Sequence, residues 1–271
     1  MRLRCLVRVT LITISLCSSV SADDDFATLM MRATVKLANE RSTATGFVLR
    51  QPRPDNGSRS ILVTAAHVFE KMTGDDAKLI YRIREAEGIY KKETMPLVIR
   101  REGQPTWIKH PSEDVAVMII ALPVTADIPE LSTDLLADDD RLRQHKIHPG
   151  QIVACLGYPH RVEANEAGFP ILRTGSIGSF PLVPAKTNKT FLLSANTFEG
   201  DSGGPIFVAD SRRKADGTDE ETRLILGLMH GQHFLDEDMA MIYGNTKLRH
   251  RLGLGIVVQA AFIRETLQQI P

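Results

Sequence analysis

A serine flanked by glycines is the residue of this sequence best suited to covalent chemistry. Ser202 lies within the run Gly200-Asp201-Ser202-Gly203-Gly204-Pro205. A nucleophilic serine needs an exposed hydroxyl and neighbouring backbone N–H groups that hold an oxyanion. Glycines allow the tight turn and the close approach of a substrate that such a site requires. The run therefore predicts a serine nucleophile.

A histidine and an aspartate earlier in the chain could complete the chemistry. His67 ends the run Thr64-Ala65-Ala66-His67, directly after a strand-like segment, and a histidine at a strand end can project into a cleft. Asp114 precedes the apolar run that begins at Val115, so it should be partly buried and need a partner such as an imidazole N–H. Taken alone, a helix start or core position would also explain the histidine, and a cap or turn would explain the aspartate.

Together, these three elements resemble the trypsin-like (chymotrypsin-fold) serine protease family. The six-residue match around Ser202 is complete, and His67, Asp114 and Ser202 occur in the order of that family. Further likeness to its bacterial, disulfide-free branch lies in residues 46–48, 174–178 and 253–256. The resemblance covers most of the chain.

The resemblance implies both a fold and a mechanism. The fold would be all-β, with two six-stranded antiparallel β-barrels and a C-terminal α-helix. Ser202 would attack a peptide carbonyl, His67 would move the proton, and Asp114 would orient the imidazole. The N–H groups of Gly200 and Ser202 would form the oxyanion hole. This mechanism needs no cofactor and no metal, and its partners would be protein or peptide substrates.

Other functions fit parts of the same pattern. Gly200-x-Ser202-x-Gly204 also matches the nucleophile elbow of α/β-hydrolases, but that elbow is followed by a helix. Here Pro205 and the apolar residues after it predict a strand instead. A catalytically silent trypsin-like binding protein and an esterase that uses the same serine remain alternatives. A zinc site at His230 and His233 lacks an evident third ligand.

The elements that must position these residues are short, apolar, β-branched runs between turn signals. We predict an N-terminal barrel over residues 23–135, a polar linker over 136–150, and a C-terminal barrel with a closing helix over 151–271. Residues 257–270 have a helical pattern, because Ala260, Ile263, Leu267 and Ile270 share one face.

The first residues are typical of an export signal. Arg2, Arg4 and Arg8 precede an apolar stretch, and small residues end at Ala22, which predicts a signal peptide over residues 1–22. Its removal would leave Cys155 as the remaining cysteine. We therefore expect a secreted or periplasmic monomer without disulfides and without a membrane anchor after cleavage. The 33 basic and 33 acidic side chains argue against a nucleic-acid partner.

Two features depart from the best-known members of the family. No cleavage site for an activating amino terminus is present, so we expect Asp201 to pair with a cation or backbone donors, or to lie near solvent. By resemblance, substrate would contact Asn196, Thr197 and His230. A threonine and a histidine there are similar to the glutamate-specific bacterial members, although His230 stands one place late. Asn196 does not support a strong preference for Arg or Lys.

Overall fold

The fold is built from two antiparallel β-sheets in a computed structural model that describes residues 25–53, 57–213, 219–241 and 244–271. The predicted signal peptide, with Cys5 and Cys17, lies outside the described residues. Within the described part of the chain, no helix is both long and apolar enough to cross a membrane.

The first sheet has seven strands in the order β5-β4-β1-β2-β3-β9-β8. Its strands are β1 Thr34–Ala38, β2 Thr43–Pro52, β3 Ser58–Thr64, β4 Asp76–Arg84, β5 Tyr90–Val98, β8 Ile108–Lys109 and β9 Ala116–Ile120. A separate pair consists of β6 Arg100–Arg101 and β7 Gln104–Pro105. The first half thus has one more strand in its sheet than the predicted six, and its outer strands β5 and β8 do not pair with each other.

The second sheet is the closed six-stranded barrel that the sequence predicts, in the order β10-β11-β12-β15-β14-β13. Its strands are β10 Ile152–Gly157, β11 Ile171–Ile177, β12 Thr190–Ser194, β13 Pro205–Arg213, β14 Asp219–Met241 and β15 Gly244–Gln259. Closure leaves no free strand edge within the barrel itself. The pairing of β14 with β15 continues outward as a long two-stranded ribbon, from Phe234 opposite Arg251 to Met241 opposite Gly244.

Four α-helices accompany the sheets in the described residues, namely α1 Phe26–Ala33, α2 Ala66–Lys71, α3 Asp139–Gln144 and α4 Ala260–Leu267. The closing helix begins three residues later than predicted, because the β-branched Val257 and Val258 pair with Met229 and Leu228 in the barrel. The residues predicted to share its apolar face, from Ala260 to Ile270, are buried as expected.

The connection between the two sheets is packed. Residues 136–150, predicted as a polar linker, contain α3, and Leu136, Ala137 and Leu142 are buried. The N–H of Ala137 donates to the carbonyl of Ile225 in β14. These few apolar residues stand among the charged ones of the segment and fix it against the core.

The first helix joins the two halves. Asp25 caps α1 by accepting the N–H of Thr28 at 2.9 Å. Phe26, Met30 and Ala33 face inward at helical spacing and are fully buried. The ring of Phe26 packs edge-on against Phe207 of β13, with ring centroids 5.5 Å apart. The buried apolar residues of both sheets form one continuous core.

Candidate active site

The glycine-flanked serine lies in a tight turn between β12 and β13. Gly200 and Gly203 have φ angles of +100° and +83°, which favour glycine. A Cβ on Gly203 would collide with the carbonyl oxygen of Thr45 and the hydroxyl of Thr64. The turn can therefore lie directly against the first sheet, which places Ser202 at the junction of the two halves.

Hydrogen bonds from β2 hold this turn. The N–H of Thr45 donates to the carbonyl of Ser202 at 2.9 Å, and the Thr45 hydroxyl donates to the carbonyl of Gly200 at 2.7 Å. Both bonds cross from the first sheet to the second. They fix the backbone on either side of the nucleophile.

The backbone N–H groups of Gly200 and Ser202 have no acceptor among the described residues. The carbonyl of Glu199 accepts the N–H of His160 at 2.7 Å. Because the carbonyl and the N–H of a planar trans peptide point in opposite directions, this bond turns the Gly200 N–H away from His160. Two backbone donors therefore remain without an acceptor among the described residues.

His67 and Asp114 contact each other at two points. The Nδ1 of His67 lies 2.6 Å from Oδ2 of Asp114, and the backbone N–H of His67 donates to Oδ1 at 2.8 Å. His67 belongs to the first turn of α2, which follows the predicted strand directly, and Asp114 lies two residues before β9. The double contact fixes the ring relative to the carboxylate.

The carboxylate of Asp114 is held in its ionised form. Burial by itself would raise its pKa, but hydrogen bonds from His230 and His67 outweigh burial and bring the pKa well below the usual value of 3.8. An ionised carboxylate accepts but cannot donate hydrogen bonds. The Nδ1 of His67 must therefore carry a proton, and its Nε2 is left as a lone-pair base in the neutral ring.

His67 and Ser202 line the same cleft. Ser202 makes no side-chain hydrogen bond in the part of the chain that the structure describes, so the imidazole and the hydroxyl are not bonded in this structure. In enzymes without substrate, such bonds are often long and tighten only when substrate binds. The cleft is also lined by Lys71 and Thr197, and by Gln232, Phe234 and Arg251.

His230 lies in this cleft too, and it touches the same carboxylate. Its Nδ1 is 2.5 Å from Oδ2 of Asp114. The sequence assigned His230 to substrate binding, and nothing in its spacing indicated this contact with Asp114. The structure therefore places His230 beside the predicted acid of the triad, on the wall of the cleft.

His67, Asp114 and His230 also form a cluster that could approach a metal ion, because their ligand atoms lie within 4.8 Å of one another. However, both ring nitrogens already lie 2.5 to 2.6 Å from one carboxylate oxygen. Ligands bound tetrahedrally to zinc at its usual bond lengths would be about 3.3 Å apart. The spacing is that of hydrogen bonds.

The two other predicted substrate contacts differ in position. Thr197 is buried, lines the cleft, and its hydroxyl donates to the side-chain oxygen of Gln232 at 3.4 Å. Asn196 is exposed and lies outside the residues that line the cleft, and its carbonyl accepts a hydrogen bond from Arg173. The predicted pocket thus has Thr197 at its wall and Asn196 beyond it.

Asp201 is almost fully buried and is bound by Arg173 of β11. Two guanidinium nitrogens approach its carboxylate at 2.6 and 2.9 Å, and the N–H of Phe198 donates to it at 2.7 Å. The sequence left a cation, backbone donors or a position near solvent open for Asp201; the structure shows the first two, and the position near solvent is wrong because Asp201 is buried. The signal that could have found Arg173 is a charged residue inside an apolar strand.

Comparisons with known proteins agree with the sequence motifs. The family model for trypsin-like peptidase domains matches residues 44–213. No curated protein matches the sequence of this chain. Among solved structures, an inactive form of Rv3671c from M. tuberculosis H37Rv, as a serine-to-alanine mutant, is similar with a TM-score of 0.47. That structure is 19% identical, over 90% of this chain and 89% of the other. A second inactive form of the Rv3671c protease has a TM-score of 0.46 and 19% identity, over 90% and 92% of the two chains.

Proposed function

The chain belongs to the family of trypsin-like peptidase domains, and on that premise we propose that it is an exported serine endopeptidase. The observation that carries the proposal is the double contact between His67 and Asp114, in a cleft that also contains Ser202. A hydrogen-bonded acid that fixes the tautomer of a histidine is the arrangement that activates a serine.

The reaction follows from this tautomer. Asp114 holds the proton on Nδ1 of His67, so the lone pair of Nε2 can accept the proton of Ser202 as Oγ attacks the peptide carbonyl. The imidazolium of His67 then gives this proton to the leaving amine, and an acyl-enzyme remains on Ser202. Water releases the acyl group by the same steps in reverse.

The charge that develops on the carbonyl oxygen needs stabilisation. The N–H groups of Gly200 and Ser202, which have no acceptor among the residues described, are suited to this because they belong to a turn held by Thr45 and His160. Donors that are already in place need no reorganisation during the reaction. Loss of one such donor typically costs about 10²–10³ in rate.

A fluorophosphonate probe tests the nucleophile directly. It should label the wild-type chain at Ser202 but fail to label Ser202→Ala, and His67→Ala should be labelled far more slowly. Absence of labelling in a folded wild-type chain would favour the silent binding protein. A labelled chain that hydrolyses esters but no peptide would be an esterase, and cleavage-site profiling on a denatured proteome separates these outcomes.

Export rests on the predicted signal peptide. The mature chain should begin at Asp23 and should be found in the periplasm or in the medium. Fractionation of cells followed by mass determination of the amino-terminal peptide tests this. An uncut amino terminus on a cell-associated chain would contradict export.

A further inference from the structure

We propose that His230 is a positioning residue for this reaction, because it holds the carboxylate of Asp114 in contact with His67. The site becomes fully active only when His230 is neutral. The inference rests on the proposed function. It concerns the two imidazoles that meet at Oδ2 of Asp114.

The geometry gives the carboxylate two imidazole donors. The Nδ1 atoms of His230 and His67 lie 2.5 and 2.6 Å from the same Oδ2 atom. The two rings are nearly perpendicular, with centroids 5.8 Å apart. Because the ionised carboxylate can only accept, both Nδ1 atoms carry a proton. His230 therefore restrains Oδ2 of the carboxylate, whereas the peptide N–H of His67 restrains Oδ1.

A β-bulge in β14 sets the direction of the His230 side chain. The pairing of β14 with β15 shifts register between Met229 and Gly231, so His230 is the extra residue of a β-bulge. Such a bulge redirects a side chain. The N–H of Met229 donates to the carbonyl of Gly204, and the N–H of Gly203 donates to the carbonyl of Met229. His230 is thus fixed to the turn that carries the nucleophile.

Protonation of His230 would change what Asp114 can do. An imidazolium at this position neutralises much of the charge of Asp114 and repels the imidazolium that forms on His67 during the reaction. The hydrogen bond to Asp114 raises the pKa of His230 above its usual 6.5, despite the opposing effect of burial. The inhibiting proton is therefore retained to a higher pH than on a free histidine.

Other charged groups face the same region from each neighbouring element. Lys71 opposes protonation of His230, and Glu113 favours it. Among the described residues, the titratable groups that line the cleft or act on His230 are His67 and Lys71 on α2, Glu113 and Asp114 before β9, Glu199 in the serine turn, and Arg251 on β15. Asp114 is the one in direct contact, so it dominates the proton affinity of His230.

The kinetic test follows the rate of fluorophosphonate labelling across pH in three full chains. His230→Asn keeps a donor at the place of Nδ1 but cannot titrate, whereas His230→Ala removes the donor. The wild type should lose activity in acid with a slope that requires two protons. His230→Asn should show a one-proton slope that begins at lower pH, with an alkaline rate within about threefold of the wild type. His230→Ala should be about tenfold slower even in alkali, since it lacks one charge-assisted hydrogen bond.

The matched control is His233→Asn, on the same strand and outside the cleft-lining residues. It should leave the profile unchanged. If His230→Asn kept the slope and midpoint of the wild type, or if His230→Ala were as fast as the wild type, the inference would be wrong.

A second measurement does not depend on activity. In the Ser202→Ala chain, ¹⁵N-labelled histidines report the titration of His230 by NMR. Replacement of Asp114 by Asn should lower the proton affinity of His230 by about tenfold or more. If the Asp114→Asn substitution left the titration of His230 unchanged, the inference would be wrong even if the probe labels the wild type. Conversely, a wild-type chain that the probe does not label would contradict the proposed function. The titration of His230 would still test its contact with Asp114 in that case.

Discussion

Arg173 binds the carboxylate of Asp201 through two guanidinium nitrogens, at 2.6 and 2.9 Å, directly beside the nucleophile. Asp201 is 1% exposed, so its charge has little access to water. A bidentate guanidinium matches a carboxylate in both geometry and charge. The pair joins β11 to the serine turn and fixes the residue that precedes Ser202.

Arg173→Met should therefore inactivate and destabilise the protein. The substitution leaves a buried carboxylate without its cation, which typically costs about 3–5 kcal/mol. The turn that presents the N–H groups of Gly200 and Ser202 should then lose its order. Urea unfolding measures the stability, and the rate of fluorophosphonate labelling measures the site.

A double-variant cycle separates this pair from general damage. In Arg173→Met with Asp201→Asn no unpaired charge remains, so the double variant should be less destabilised than the sum of the two single ones. An additive result would mean that the two residues do not act together.

The pairing of Arg173 with Asp201 also predicts that the probe labels the chain without an activating cut. A full-length chain that became active only after trimming beyond residue 26 would contradict this role.

Gly200→Ala should reduce labelling of Ser202 by about 10²–10³. A Cβ at this position would collide with the carbonyl oxygen of Tyr158, so the peptide that carries one oxyanion donor must move. Gly74 supplies a matched control, since it has a φ of +84° but nothing within 4 Å of an added Cβ. Gly74→Ala should cost about 1 kcal/mol in stability and leave the labelling rate unchanged. Equal effects of the two substitutions would show that strain alone is responsible.

The trypsin-like fold could be predicted from the sequence because the signals for its strands and turns are local. Apolar β-branched runs predicted the strands of both halves, and the glycine-rich run around Ser202 predicted the turn between β12 and β13. His67 was expected at a strand end, with a helix start as one alternative, and it lies in the first turn of α2. No side chain caps the start of that helix, so the sequence offers no capping residue from which the helix could be predicted.

Contacts between distant segments could not be read from the sequence. Arg173 and Asp201 are 28 residues apart, and His230 and Asp114 are 116 apart. No periodicity encodes such pairs. The outer ribbon of β14 and β15 was also missed, because its strands are held by exposed cross-strand ion pairs such as Asp236 with Arg249 instead of by a buried apolar face.

Arg82→Met should destabilise the fold by about 1–3 kcal/mol for each buried carbonyl that loses its donor. The Arg82 side chain is fully buried and donates to the carbonyls of Arg32 and Thr34 at 2.6 and 2.7 Å, at the end of α1. It also donates to the hydroxyl of Tyr158, whose pKa burial raises to about 12. Loss of the guanidinium would leave several buried carbonyls unsatisfied.

The same substitution at Arg84, which is exposed on the same strand, provides the comparison. Arg84→Met should change stability by less than about 0.5 kcal/mol. Urea unfolding of both variants decides the point. A similar cost at the two positions would mean that the buried hydrogen bonds of Arg82 contribute little.

The contact between His230 and Asp114 also predicts how stability depends on pH. The pKa of His230 is raised above 6.5 in the folded chain by its bond to Asp114. Its contribution to stability is therefore fully present below that value and is lost as pH rises through the folded pKa. The pKa of Asp114 is lowered from 3.8, so this carboxylate stays ionised throughout that window.

Urea unfolding of the wild type and of His230→Asn at several pH values tests this dependence. The advantage of the wild type should be largest at about pH 5.5 and should shrink towards about pH 8.5. A difference that stays constant with pH would show that His230 contributes by packing alone.

Cationic side chains on both walls of the cleft predict a preference for acidic residues near the scissile bond. Lys71 on α2 and Arg251 on β15 line the cleft, and neither has a carboxylate partner among the residues that the structure describes. The guanidinium of Arg251 stacks on the ring of Phe198, with 4.8 Å to its centroid, which holds the charge beside the serine turn. Arg251→Gln should lower the enrichment of Asp and Glu in a cleavage-site profile by about two- to fivefold, the range of an exposed ion pair. Arg84→Gln, which changes the same charge away from the cleft, should leave the profile unaltered. A wild-type profile without Asp or Glu enrichment would contradict this prediction.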